Sequence, residues 1–157
     1  RFYEGLVRVP LIFSWPGQIK TNLQSDALVE LMDIAPTLLD AATIAKPSHM
    51  QGQSLWPLLT GKTDPRFHKP FVRSEYFDAL KENDGTRATM YRDDRYKLVV
   101  YHGHDLGELY DLNVDPGEFN DLWDDPNASD IKNRLIHQSF DATMLVQDLG
   151  PPRMGPM

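Results

Sequence analysis

The 157-residue sequence has no cysteine, which excludes disulfide staples, thiolate metal centres and a cysteine nucleophile among these residues. It has no apolar run near the roughly 18–20 residues of a membrane-crossing helix. No signal-peptide pattern leads the chain, since Arg1 runs directly into Phe2-Tyr3-Glu4-Gly5. Basic runs are missing too: 16 Lys and Arg are scattered among 23 Asp and Glu, for a net charge of −7. An acidic surface without a basic stripe repels phosphate backbones, so neither nucleic acid nor a membrane is an expected partner. No internal repeat or low-complexity segment is present.

What is there is 41% hydrophobic residues, enough for one core or two small ones sharing an interface. The first residue is not methionine and falls inside a structured pattern, which points to a piece of a longer protein. Residues 7–15 read V-R-V-P-L-I-F-S-W and stop at Pro16-Gly17, a turn signal. The continuous run Leu11-Ile12-Phe13 predicts a strand covered on both faces. Asp33 then reads as the N-cap of a helix ending near Ala42, with Pro36 in its first turn and Ile34, Leu38 and Leu39 on its apolar face. A short helical turn over 54–59 is stopped by Gly61.

Residues 63–70 form a polar, proline-containing connector, and after it the period changes. Segments 71–77, 88–92, 95–101 and 108–112 are rich in Val, Tyr, Phe and Thr and predict four short strands. Asp93-Asp94 suits a hairpin turn and 102–107 a loop, so the strands form an antiparallel meander. The last element is a helix capped by Asn127, with Ile131, Leu135, Phe140 and Met144 as the stripe facing the sheet. The proline-rich tail from Gly150 cannot be helical.

Four blocks carry a family resemblance: YEGLVRVPLIFSWPG (3–17), DIAPTLLDAATI (33–44), GQSLWPLLTG (52–61), and the stretch from YKLVVY to ELYDLNVDPGEFNDL (96–122). In this order and spacing they cover most of the chain, which resembles the carboxy-terminal part of the formylglycine-dependent sulfatases. The resemblance implies an α/β fragment of an alkaline-phosphatase-like fold followed by an α+β subdomain, a four-stranded antiparallel sheet packed by a C-terminal helix. Residues 1–62 would be the tail end of the large α/β domain, 63–70 the connector and 71–157 the sheet-and-helix subdomain. Two departures are local: Thr43 stands where the family usually has glycine, and Asp121 where it usually has asparagine.

For the intact enzyme the resemblance implies hydrolysis of sulfate esters, on a small molecule or a carbohydrate. It further implies a formylglycine nucleophile and calcium or another divalent cation. None of that machinery is in this sequence. The nucleophile pattern is Cys or Ser, any residue, Pro or Ala, any residue, Arg; Ser14-Trp15-Pro16 is followed by Gln18 and Ser25-Asp26-Ala27 by Val29 instead of arginine. The metal-binding tripeptides Asp-His-Gly and Asp-Asn-Gly do not occur, and Asn83-Asp84-Gly85 has the wrong order. The expectation is therefore a portion without nucleophile, metal ligands or cofactor of its own, inactive alone. A phosphonate or phosphate-ester hydrolase of the same superfamily is the neighbouring reading, and a non-enzymatic interaction module the distant one.

Among the residues present, His102 and His104 flank Gly103 in a loop after a strand and are candidates for the substrate-pocket wall, with exposed loop histidines as the plain alternative. Arg1 is placed near the family's sulfate-binding lysine, which would fall just before Tyr3. Glu4 and Arg8 are four apart and fit a structural ion pair near the site. Asp111-Leu112-Asn113-Val114-Asp115 begins like a calcium loop, but Pro116 replaces the needed glycine and Leu122 the bidentate glutamate, so a turn is expected. Asn127-Ala128-Ser129 is a formal sequon that capping explains. A large-domain remnant stripped of its cover would expose apolar surface and favour a homodimer.

Overall fold

The computed structural model describes residues 2–79 and 85–146. The elements in chain order are α1 (Glu4–Val7), α2 (Ile34–Ala41), α3 (Trp56–Leu59), β1 (Val72–Phe77), β2 (Arg87–Arg92), β3 (Tyr96–Tyr101), β4 (Leu106–Asp111) and α4 (Ser129–Met144). Short 3-10 turns lead into α2 and α4. The expected tail from Gly150, Arg1, and Asn83-Asp84 lie outside the described residues.

The four strands form the expected antiparallel meander, in the order β1-β2-β3-β4. Asp93 shapes the β2–β3 turn by accepting hydrogen bonds from the Arg95 and Tyr96 amides at 2.9 and 2.6 Å. Pairing Arg92↔Lys97 and Val99↔Glu108 sets the register, and alternation then gives each strand two different faces. Tyr91, Tyr96, Leu98 and Leu109 pack with Ala128, Leu135 and Ala142 of the helical layer. Ala88, Met90 and Val99 face the other way and pack with Phe2, Val7 and Tyr101. Gly107 lets Trp123 lie on the helix-side face: a Cβ there would stand 2.2 Å from the indole ring.

The helix stripe differs from expectation at two of its four positions. Leu135, Ser139 and Ala142 are the buried residues of α4, while Phe140 is 63% exposed and Met144 is exposed as well. At 3.6 residues per turn a step of five carries a side chain roughly 140° around the axis, so Phe140 cannot share a face with Leu135. The cap differs too. No side chain caps α4 itself; Asp125 caps the 3-10 turn before it, its carboxylate accepting from the Asn127 amide at 2.9 Å.

The expected strand over 7–15 does not form. Residues 4–7 make a helical turn, and residues 8–15 after it carry no helix or strand and no ladder partner among the described residues. Without a neighbouring strand its apolar run meets solvent, Ile12 at 87% exposure. Leu38, assigned to the apolar face of α2, is exposed in the same region, and the buried residues of that helix are Pro36 and Thr37. Phe13, Trp15, Leu38, Ala41 and Trp56 line an open apolar cavity of about 260 Å³ there, with the two tryptophan rings 5.7 Å apart.

The end of α2 shows what the Thr43 departure means. Ile44 N donates to Leu39 O at 2.8 Å and Thr43 N to Asp40 O at 3.0 Å, a Schellman motif whose turning residue is Thr43 at φ 57°. That left-handed conformation strains a β-branched side chain and suits glycine. Thr43→Gly is expected to stabilise the fold by about 0.5–1 kcal/mol, a rise in Tm of about 1–3 °C by calorimetry. An unchanged or lower Tm would contradict the assignment of strain to this residue.

Candidate functional site

The sheet face turned away from α4 carries charge that an ordinary core face does not. Lys97 occupies the middle of an otherwise apolar strand, Tyr-Lys-Leu-Val-Val-Tyr, and its side chain is 1% exposed. Its ammonium donates to Glu118 Oε1 at 2.5 Å and to the backbone carbonyl of Phe2 at 2.8 Å, and lies 2.8 Å from Glu4 Oε1. The second oxygen of Glu118 accepts the Glu4 amide at 2.6 Å. Arg92 Nε, beside Lys97 in register, is 3.4 Å from Glu4 Oε1. Two cations and two carboxylates thus neutralise one another in a closed space, as buried charges must.

Next to this cluster the same face bears aromatic hydroxyls around Glu108. Tyr101 donates to Glu108 Oε1 at 2.7 Å and Tyr110 to Oε2 at 3.3 Å. Tyr3 lies over Tyr110 with ring centroids 6.4 Å apart and keeps about half its surface in solvent. Burial first, then the Glu108 charge and the hydrogen bond with Tyr3, push the Tyr110 hydroxyl above its usual pKa. It therefore stays a neutral donor.

A second buried polar cluster ties the preceding segment to β1. Asp33, fully buried, does not cap α2 with its side chain. Its carboxylate instead accepts from the Glu30 and Gln53 amides at 2.9 and 2.8 Å and from Lys69 Nζ at 2.8 Å, with His68 Nε2 at 3.5 Å. Glu30 in turn holds Lys69 at 2.7 Å and the amide of Arg73 in β1 at 2.7 Å. Burial raises the Asp33 carboxyl, but the His68, Lys69 and amide hydrogen bonds outweigh it and hold the group well below the usual carboxylate range.

Of the residues singled out by sequence, Glu4 belongs to the buried charge cluster, where it pairs with Lys97 and Arg92 rather than with Arg8. Arg8 points into solvent and meets Asp26 at 3.1 Å. The spacing of four is a helical relation, and the helical turn α1 ends at Val7, so the two side chains diverge. His102 and His104 are exposed in the β3–β4 turn. His102 Nε2 is 2.9 Å from Thr89 Oγ1, and the His104 amide donates to Tyr101 O at 3.3 Å. Arg1 is outside the described residues. Asp111 closes a turn as expected, gripped in bidentate fashion by Arg95 at 2.7–3.1 Å. That grip, more than the opposing effect of burial, lowers its pKa.

Sequence reasoning missed Lys97, Arg92, Glu118 and the Asp33 cluster. The available signal was a lysine in the centre of an apolar strand, since such a side chain must be paired or turned to solvent. Among the described residues no group of three or more His, Asp or Glu could hold a metal ion. With no cysteine in the sequence, the donors present do not fit the calcium and formylglycine of the resemblance, and no chemistry is routed through either on this chain.

Comparison places this architecture among known folds. A phosphonate monoester hydrolase from Silicibacter pomeroyi superposes at TM-score 0.73, 26% identical over 85% of this chain and 28% of its own. A 2-O GAG sulfatase does so at TM-score 0.66, 36% identical over 74% of this chain and 25% of its own. The class is therefore the alkaline-phosphatase-like sulfatases and phosphonate hydrolases. Within it, residues 1–144 match the family described as N-sulphoglucosamine sulphohydrolase, C-terminal, and the chain belongs to that family. Among curated relatives, a Δ4,5-hexuronate-2-O-sulfatase of Bacteroides thetaiotaomicron is 39% identical over 83% of this chain and 27% of its own length. Arylsulfatase K of Rattus norvegicus is 37% identical over 76% and 22%. The chain spans about a quarter of the length of these relatives.

The Asp33 cluster has a measurable pH signature. A carboxylate with a lowered folded pKa stabilises fully above its unfolded value of 3.8, and that contribution drains as pH falls from there toward the folded value. Wild type is expected to be more stable than Asp33→Asn at pH 7, with the gap narrowing below about pH 4. Parallel denaturant titrations at pH 7, 5 and 3 check this; a gap independent of pH would contradict it.

Proposed function

We propose that this chain is the carboxy-terminal portion of a sulfatase that hydrolyses sulfate esters of carbohydrate, with nucleophile and metal ligands outside its 157 residues. The observation that carries the reading is the 39% identity with a hexuronate-2-O-sulfatase, within a family match spanning residues 1–144. A third solved structure adds weight to the sugar class: at TM-score 0.74 and 26% identity, it was determined with its substrate D-glucosamine-2-N,6-O-disulfate. In the intact enzyme, formylglycine would supply the nucleophile and calcium or another divalent cation the electrostatic stabilisation of the sulfuryl oxygens.

On this reading residues 1–62 belong with the catalytic domain, 63–70 connect, and the sheet and α4 form a subdomain that walls the substrate pocket. The lack of helix or strand over 63–70 supports that division. The exposed pair His102 and His104 offers hydrogen bonds to the sugar or to an anionic group on it, and Arg1, close in sequence to the position of the family's sulfate-binding lysine, is a further candidate for the pocket. The exposed apolar residues Ile12, Trp15 and Leu38 then pack against the rest of the catalytic domain, outside these 157 residues. In the chain alone they favour a homodimer.

Four measurements test this. The chain by itself with calcium is expected to give no turnover of a chromogenic aryl sulfate, and robust turnover would overturn its dependence on outside residues. The enzyme that carries it is expected to prefer a sulfated disaccharide to a phosphonate monoester in kcat/KM; the reverse preference would replace sulfatase by phosphonate hydrolase. There, His102→Ala with His104→Ala is expected to raise KM about 5–10-fold, roughly one lost hydrogen bond. Light scattering of the chain at high concentration is expected to show dimer; a clean monomer would argue against an uncovered docking face.

A further inference from the structure

We propose that Lys97 is a positioning residue that fixes the course of the chain at residues 2–4 and through it the catalytic geometry; the inference rests on the sulfatase reading above. The Lys97 ammonium has three N–H groups to satisfy in a buried setting. One reaches a backbone carbonyl, Phe2 O at 2.8 Å, one Glu118 at 2.5 Å, and one side of the ammonium faces Glu4 at 2.8 Å. Glu118 then takes the Glu4 amide at 2.6 Å. The polar backbone atoms on both sides of Tyr3 are therefore held by one buried pair, which no apolar side chain could do.

The cost of building this pair is visible in the loop that supplies Glu118. Glu118 sits at φ 57°, a left-handed conformation unfavourable for a residue with a Cβ. The preceding Gly117 lies so near the Phe119 ring that a Cβ would stand 2.3 Å from it. Asp115 holds the bend, its carbonyl accepting the Glu118 amide at 3.2 Å and its carboxylate the Asn120 amide at 2.8 Å. A buried ion pair adds little to stability over well-packed apolar residues of similar volume. Strain accepted to place one points to a demand for geometry. On the sulfatase reading residues 2–4 belong with the catalytic domain, so an error in their course displaces what that domain presents to the substrate.

The test separates positioning from stability. Lys97→Met alone leaves Glu118 buried without its cation and is expected to lower Tm. Lys97→Met with Glu118→Leu replaces the pair by apolar groups and is expected to recover Tm to within a few degrees. In the chain itself this double variant should still exchange the Glu4 amide at least 10-fold faster than wild type. In the enzyme that carries the chain, it should lower kcat at least 10-fold with KM changed less than threefold. Glu118→Gln, which keeps the shape, provides a second folded variant and should give the same pattern in weaker form. Wild-type exchange and wild-type kcat in either stably folded variant would overturn the proposal. If the wild-type enzyme shows no sulfatase activity, the functional reading fails, while the exchange measurement still decides whether Lys97 holds residues 2–4.

Discussion

An ammonium enclosed between a sheet and the first turn of its own chain must be neutralised where it sits, and the placement of several segments follows from how Lys97 meets that requirement. Its position in β3 forces a carboxylate to arrive from the loop after β4, which is why Glu118 turns inward through a left-handed bend. A second carboxylate arrives from α1, and the Phe2 carbonyl completes the shell. Segments 95 and 21 positions away in sequence from Lys97 are thereby brought to one point on the sheet. The apolar residues around them, Phe2, Val99 and Met90, exclude the water that would otherwise loosen the arrangement.

The Asp33 cluster applies the same physics to the other join. Asp33, Glu30, His68 and Lys69 connect the entry to α2 with the segment before β1, again through a buried carboxylate satisfied by backbone amides and a lysine. Gly52 makes room for it, since a Cβ there would stand 2.0 Å from Met32 O. Two polar clasps therefore hold the amino-terminal third onto the sheet, whereas the apolar run through Leu11 and Ile12 is exposed. The chain is closed on its polar joints and open on its apolar side, which fits a portion of a larger sulfatase better than a free-standing interaction module.

How much of this could be read from sequence depended on the range of the signal. The meander was legible because strand alternation and turn chemistry are local: each strand lies within about two residues of its expected place, and Asp93 shapes the turn assigned to it. The terminal helix was legible as a helix, but its buried face was misjudged, since hydrophobicity drew attention to Phe140 when geometry put Ser139 inward. The strand over 7–15 failed for the opposite reason. A continuous apolar run records that a segment is to be covered, not which partner covers it.

The sequence by itself determined the family, the sheet-and-helix composition of its second half and the absence of a cysteine nucleophile, because these are properties of residue identity and short spacing. Tertiary structure alone decided that Glu4 answers Lys97 and Arg92 instead of Arg8, that Glu118 is a buried partner rather than a loop acid, and that Asp33 is a clasp and not a side-chain cap. Those pairings join positions tens of residues apart. Charge attraction is indifferent to sequence distance, and only the closed fold brings the partners within hydrogen-bond reach.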